Sequence, residues 1–156
     1  MSRIGFGFDT HKLETSATLF LGGVKIPADK GATGHSDADV LIHAICDALL
    51  GAANLGDIGT HFPDTDQQYK GIDSKILLKK VVSLLNEKSF QIVNIDTTIC
   101  IEKPKIAPYI AQIQQKLSEV IGIPAYDISI KAKTSEKLGF IGREEGVSAY
   151  AVVLLD

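Results

Sequence analysis

Residues 34–66 read GHSDADVLIHAICDALLGAANLGDIGTHFPDTD, and the chain is organised around the middle of that stretch. Ser36, followed three residues later by Asp39, has the layout of a helix N-cap with an acidic third residue. From Ala38 to Ala53 nearly every side chain is apolar or small, with no proline and no glycine until Gly51. That pattern predicts a helix buried on almost all sides. Asp39, His43 and Asp47 fall four residues apart and form one polar line down it. Two carboxylates and an imidazole in a buried helix require partners, because unpaired buried charge is costly, so the line is predicted to face a cleft. A second reading stands beside this one: Asp39 only caps the helix and meets its dipole, and His43 is a hydrogen-bonded core histidine. The sequel, LGDIG and FPDTD, puts Asp57, Asp64 and Asp66 in a turn-rich segment punctuated by Gly56, Gly59 and Pro63. Acids in such loops are often merely solvated; here they directly follow a buried helix with a polar stripe.

Working outward, 156 residues are read as one domain, 1–156, large enough for its own core. A hydrophobic fraction of 45% without low-complexity runs predicts a globular, soluble chain. A net charge of -3 offers no general attraction to nucleic acid. Cys46 lies in the apolar helix and Cys100 in an apolar strand-like run, so both are read as reduced core thiols without disulfide or metal. No apolar signal region opens the chain, and AYAVVLL near the end is too short to span a membrane. The expectation is a cytoplasmic protein, or an organellar one stripped of its targeting peptide.

Residues 3–8 predict a strand. GFGFD has two glycines but no third at the spacing of a dinucleotide fingerprint, so a Rossmann reading is rejected. Asp9 and His11, two apart in extended chain, project from one face. With His43 they make three ligands of mixed N and O type, the composition of a catalytic zinc site with an open fourth position. The alternative is a turn aspartate and a surface histidine. Residues 18–21 and 24–26 around Gly22-Gly23 predict a hairpin, and 29–33 a loop. Asp73 or Ser74 caps a second helix to about Lys88, with Ile76, Leu77, Val81, Leu84 and Leu85 as its apolar face. Residues 91–101 alternate as a strand, a third helix runs through Ile113 and Leu117 to Ile121, and 128–133 and 147–155 are the last strands. Between those two, KTSEKLGFIGREEG is a polar, glycine-broken loop suited to a charged ligand.

RIGFGFDTH, GHSDADVLIHAICDALLGAANLGDIG, FPDTD, the turn at Pro104-Lys105 and KTSEKLGFIGREEG occur here in one order. Together they resemble the 2-C-methyl-D-erythritol 2,4-cyclodiphosphate synthases of the non-mevalonate isoprenoid pathway, over essentially the whole chain. The resemblance implies cyclisation of 4-diphosphocytidyl-2-C-methyl-D-erythritol 2-phosphate with release of CMP. In that reaction the substrate's own 2-phosphate attacks the β-phosphorus, so the protein supplies positioning and charge neutralisation. It implies zinc on Asp9, His11 and His43, and Mg²⁺ or Mn²⁺ bridging the diphosphate with help from Glu136. His35 and Thr134 are implied as stabilisers of the transferring phosphoryl group, and Ser36 as a phosphate contact at the helix start. Asp57, Ile58 and Gly59 would hold the methylerythritol hydroxyls, with Phe62, Pro63, Asp64, Thr65 and Asp66 bordering that pocket. Ile101, Glu102, Lys103, Pro104, Lys105, Ile106 and Ala107, with Ala132, Lys133, Thr134, Ser135, Phe140 and Arg143, would cradle the cytidine nucleotide. Without the resemblance, Thr134 reads as a strand-end hydroxyl and Lys105 as a solvated cation.

The implied fold is α+β: a four-stranded mixed sheet with helices on one face plus an N-terminal hairpin. Three subunits would pack sheets inward as a homotrimer, with active sites shared between neighbours. Ile101, Lys133 and Ala38 stand where the family commonly has Ala, Thr and Gly. Glu144 stands beside Arg143, a position whose basic residue serves an isoprenoid diphosphate in some family members, and Tyr150 stands where an acidic residue can occur. Two other classes remain beside this reading: a metal-dependent phosphohydrolase, and a non-catalytic trimeric isoprenoid-diphosphate-binding protein.

Overall fold

The computed structural model describes residues 1–63 and 65–156, so the expectation placed on Asp64 lies outside the described residues. Strand β1 (Arg3–Glu14) extends well past the expected 3–8 and carries both Asp9 and His11. Its alternation of glycine and phenylalanine has a packing cause. A Cβ on Gly5 would stand 1.9 Å from the Ala48 carbonyl oxygen, and one on Gly7 2.2 Å from that of Ala44. Only glycine lets helix α1 (Val40–Ala52) lie this close to the strand. Every α1 residue except Asp47 and Gly51 is buried, as its apolar composition requires. Truncating a fully buried leucine such as Leu49 to alanine should cost about 2–5 kcal/mol.

The other strands are β2 (Leu19–Leu21), β3 (Val24–Ile26), β4 (Gly31–Thr33), β5 (Ile92–Cys100), β6 (Ile128–Lys133) and β7 (Gly146–Leu155). The main sheet runs β4-β1-β7-β5-β6, while β2 and β3 form the separate hairpin. It is mixed: β5 and β6 are parallel and the other neighbours antiparallel. The sheet therefore has five strands rather than the expected four. The addition is β4, whose three residues pair with Lys12, Leu13 and Glu14 on the long end of β1. Three residues containing a glycine carry no period-two pattern, so this segment reads as loop until β1 offers it an edge.

Helices α3 (Ser74–Glu87) and α4 (Ile110–Ile121) join α1 over one face of the sheet. Two single-turn helices, α2 (Ile58–His61) and α5 (Gly139–Gly142), sit in stretches read as loop. On the uncovered face Phe6, Phe8 and Tyr150 form a ladder, with ring centroids 6.3–6.5 Å apart.

The helix cap differs from the expectation. Asp39, not Ser36, is the N-cap of α1 and accepts the Ile42 N–H at 3.1 Å. It also accepts the Gly22 and Gly23 N–H groups at 2.9 and 2.7 Å, tying the β2–β3 turn to the helix. Asp39 is fully buried, so the upper end of the polar line faces this turn and not a cleft. Burial pushes its carboxyl up, an effect the three N–H groups only partly offset. Ala38, where glycine is common in the family, holds φ at +56°, the left-handed region glycine favours.

Candidate functional site

The middle of the polar line does reach a cleft. Asp9 and His11 leave β1 on the face that meets α1, and His43 lies opposite them one turn into the helix. The Asp9 Oδ2, His11 Nε2 and His43 Nδ1 atoms converge: 2.8 Å from Asp9 to His11, 2.9 Å from Asp9 to His43, and 3.1 Å between the rings. Tetrahedral donors about 2.0–2.2 Å from one zinc stand about 3.4 Å apart. At 2.8–3.1 Å the triad is about half an ångström tighter than that spacing, a gap that small side-chain shifts open, and its N,N,O donor set suits a divalent metal. Gly34 makes room for it, since a Cβ there would meet the His11 ring at 2.9 Å.

The electrostatics fit a cation site. Burial alone would push the Asp9 carboxyl up, but hydrogen bonds and charge from His11 and His43 hold it well below the ordinary carboxylate range. Burial alone would lower His43, yet the Asp9 carboxylate, with Asp39 and Asp37 behind it, leaves it raised. Three negative groups thus favour a positive charge at this spot, carried by a proton or by a metal ion.

A cavity of about 360 Å³ opens over the triad, and His35, Ser36, Ile58, Gly59, Phe62 and Pro63 line it too. Tyr69, Ile72 and Leu77 complete the wall, residues that sequence reasoning missed because nothing distinguishes them from ordinary core or turn positions. Asp47 bonds the Ile58 N–H at 2.8 Å and so holds α2 at the rim. Asp57 is the N-cap of α2; its Oδ1 accepts the Thr60 N–H and hydroxyl, both at 2.8 Å. Those two bonds hold its exposed carboxyl below the ordinary value. Asp66 caps a 3₁₀ turn at Gln67–Tyr69, and neither it nor Thr65 lines this cavity.

A second cavity, about 170 Å³, lies at the ends of the parallel strands β5 and β6. Ile101, Glu102, Pro104, Lys105, Ile106 and Ala107 form one wall and Ala132, Lys133 and Thr134 the other. The Ile101 N–H bonds the Lys133 carbonyl at 2.9 Å and Glu102 accepts the Ser135 N–H at 3.2 Å, which fixes the two walls together. The Thr134 hydroxyl donates to Glu136 at 3.2 Å. Lys103 pairs instead with Glu144 at 2.9 Å, and Arg143 forms a two-pronged pair with Glu145 at 3.0 and 3.1 Å. Ser135, Glu136, Phe140 and Arg143 do not line this cavity, and it shares no residue with the metal cavity.

Sequence reasoning also missed what stands behind His43. Its Nε2 lies 2.9 Å from the Ser74 Oγ and 3.1 Å from the Ser36 Oγ, and the Ser74 hydroxyl in turn bonds Asp37. Ser74 was expected only as a possible helix cap, and no spacing links it to residues 37 positions earlier.

This chain and its fold have close relatives. The 2-C-methyl-D-erythritol 2,4-cyclodiphosphate synthase of Bacteroides fragilis is 63% identical over 154 residues, covering 99% of this chain and 97% of its own. A solved 2C-methyl-D-erythritol-2,4-cyclodiphosphate synthase in its CDP-bound form superposes with a TM-score of 0.92 at 39% identity, covering 99% of this chain and all of its own. The bifunctional IspDF from Campylobacter jejuni matches with a TM-score of 0.95 at 40% identity over 99% of this chain, which spans 42% of that longer protein. The YgbB family model matches residues 2–156, and the chain belongs to the YgbB family.

Proposed function

We propose that this protein, as one domain over residues 1–156, converts 4-diphosphocytidyl-2-C-methyl-D-erythritol 2-phosphate into 2-C-methyl-D-erythritol 2,4-cyclodiphosphate and CMP. The observation that carries this is the convergence of Asp9, His11 and His43 beneath a cavity edged by His35 and Ser36, in a chain of this family. An oxygen of the substrate's 2-phosphate bonds to the β-phosphorus. The β-phosphorus–oxygen bond to the α-phosphate breaks, and CMP leaves with the electron pair. No protein nucleophile is consumed, so the chain's contribution is placement and charge.

Asp9, His11 and His43 would hold zinc, and Glu136 beside Thr134 would help hold Mg²⁺ or Mn²⁺. Bound metal supplies positive charge for phosphate oxygens and a fixed template for them. His35, at the cavity edge, and Thr134 would donate to the transferring phosphoryl group. Ser36 would contact phosphate, while Asp57, Ile58 and Gly59 orient the polyol between Phe62 and Pro63. The walls around Lys105 and Lys133 would take the cytidine. Asp57, Thr65, Ser135, Phe140 and Arg143 lie outside the two cavities of the single chain, so they would reach substrate only in the closed or assembled site.

The protein would act as a homotrimer in the cytoplasm, each site joining the metal cavity of one copy to the nucleotide cavity of the next. Phe6 and Phe8, 60% and 59% exposed, support this reading, because a sheet face carrying stacked aromatic rings favours burial against further copies. Phosphorus NMR of the product tests the function: the cyclic diphosphate gives a pair of mutually coupled signals. Linear phosphates as the sole product would make it a phosphohydrolase instead.

A further inference from the structure

The metal triad has a built support on its buried side. Ser74 is fully buried at the start of α3, and Asp37 accepts both its backbone N–H, at 3.0 Å, and its hydroxyl. Because that hydroxyl gives its proton to a carboxylate, the Ser74 oxygen faces His43 as an acceptor only. His43 Nε2, 2.9 Å away, must therefore carry a hydrogen and donate it. A neutral ring with its proton on Nε2 turns the Nδ1 lone pair toward Asp9 and His11, where a metal takes it.

Ser36 is the other hydroxyl within reach of Nε2, at 3.1 Å, but it differs in kind. Ser36 lines the open cavity and Ser74 does not. With Ser74 accepting the Nε2–H hydrogen bond from behind, the Ser36 hydroxyl stays available to a ligand in the cavity. Asp37 is itself fixed, since its N–H bonds the Ile72 carbonyl at 3.1 Å and its carboxylate accepts the Asp39 N–H at 3.2 Å.

We propose that Asp37 and Ser74 are positioning residues for the metal centre: a carboxylate–hydroxyl relay that fixes the tautomer and orientation of His43 and strengthens it as a ligand. The proposal rests on the reading that Asp9, His11 and His43 bind metal. Partners of this kind behind a metal-bound imidazole typically set affinity by about 10- to 100-fold.

The experiment measures zinc affinity by competition with a chelator, together with the proton resonance of the His43 Nε2–H in zinc-loaded protein. Ser74→Ala should weaken zinc by about 10- to 100-fold and move that resonance upfield, as its strong acceptor is lost. Asp37→Asn, which keeps the side chain's size but removes the charge, should act in the same direction on both readouts and carries the test if Ser74→Ala does not fold. Wild-type zinc affinity in a folded variant, or an Nε2–H resonance that does not move, overturns the relay. A role limited to starting α3 would lower the melting temperature and leave the resonance in place, which also overturns it. His43→Ala separates the two levels: if that variant keeps its zinc, the triad reading itself fails. If it loses zinc while Ser74→Ala does not, only the relay fails.

Discussion

The two cavities of this chain are built on different principles. Over the metal triad, side chains do the selecting: an aspartate and two histidines converge within 3.1 Å, the most buried of them backed by Ser74 and Asp37. At the ends of β5 and β6 no such cluster forms: Lys105, Lys133, Ala107 and Thr134 are all exposed, and the walls are joined by the Ile101 N–H to the Lys133 carbonyl and the Ser135 N–H to Glu102. The first brings its three ligand atoms together within one copy; the second, in the proposed trimer, would be finished by another copy. A site made of converging ligand atoms must declare itself by residue type, whereas an exposed ledge of common residue types carries no such mark.

The largest effect should come from removing the shared dependence of both halves. His43→Ala should lose its metal by elemental analysis and drop turnover by about 10³-fold or more, the scale of a lost electrostatic stabiliser. Lys105→Ala combined with Thr134→Ala should keep its metal and be similarly inactive. Refolded together in equal amounts, the two variants should regain roughly a quarter of wild-type activity if, as proposed, a working site takes its metal half from one copy and its nucleotide half from the next. Trimers shown to have mixed, yet no more active than the separate variants, would mean that each site belongs to a single chain.

Stability should divide the halves as well. Asp39→Ala strands the buried Gly22 and Ile42 N–H groups and the half-buried Gly23 N–H beneath the metal half, so chemical denaturation should show a loss of about 3 kcal/mol or more. Lys105→Ala on the exposed ledge should stay within about 0.5 kcal/mol of wild type. Equal losses would erase the contrast.

Much of this architecture was legible. The strand at residues 128–133, the helices, the hairpin and the Asp9–His11–His43 triad follow from periodicity, caps and the few residue types that ligate metal. The short strand β4 was not legible, because three residues have no period and owe their form to the far end of β1. Nor was the Asp37–Ser74 relay, whose members meet only through tertiary folding. Asp39 misled in a physical way: a buried acid can be satisfied by backbone N–H groups as well as by a ligand, and sequence does not distinguish the two.

Asp57→Ala should weaken the polyol end of the substrate by about tenfold or more while leaving metal in place, since a bond to a charged group contributes about 1.5–3 kcal/mol. An unchanged KM together with an unchanged kcat would remove Asp57 from the site. The gentlest probe is pH. His43 is raised in the metal-free protein, so the folded state holds that proton up to a pH above the ordinary value of 6.5. Its contribution to metal-free stability is fully present below 6.5 and lost as pH rises through the raised folded value. Metal must displace the same proton, so affinity should fall by up to about tenfold per unit as pH drops through that range. Asp9 stays ionised throughout and should add no second step. A pH-independent metal affinity would contradict this sign.

Strand β1 also guards against its own misalignment. Side chains alternate sides along a strand, so pairing it one residue out of step would drive Phe6 and Phe8 into the main chain of α1 and leave glycine facing outward. The same slip would carry Asp9 and His11 to the far side from His43. A molecule with this error could neither bury its helix, nor bring Asp9 and His11 to His43, nor set the aromatic ladder on the open face. One six-letter alternation, IGFGFD, thus acts as a proofreading device: a misregistered chain loses its packing, its triad and its ladder together.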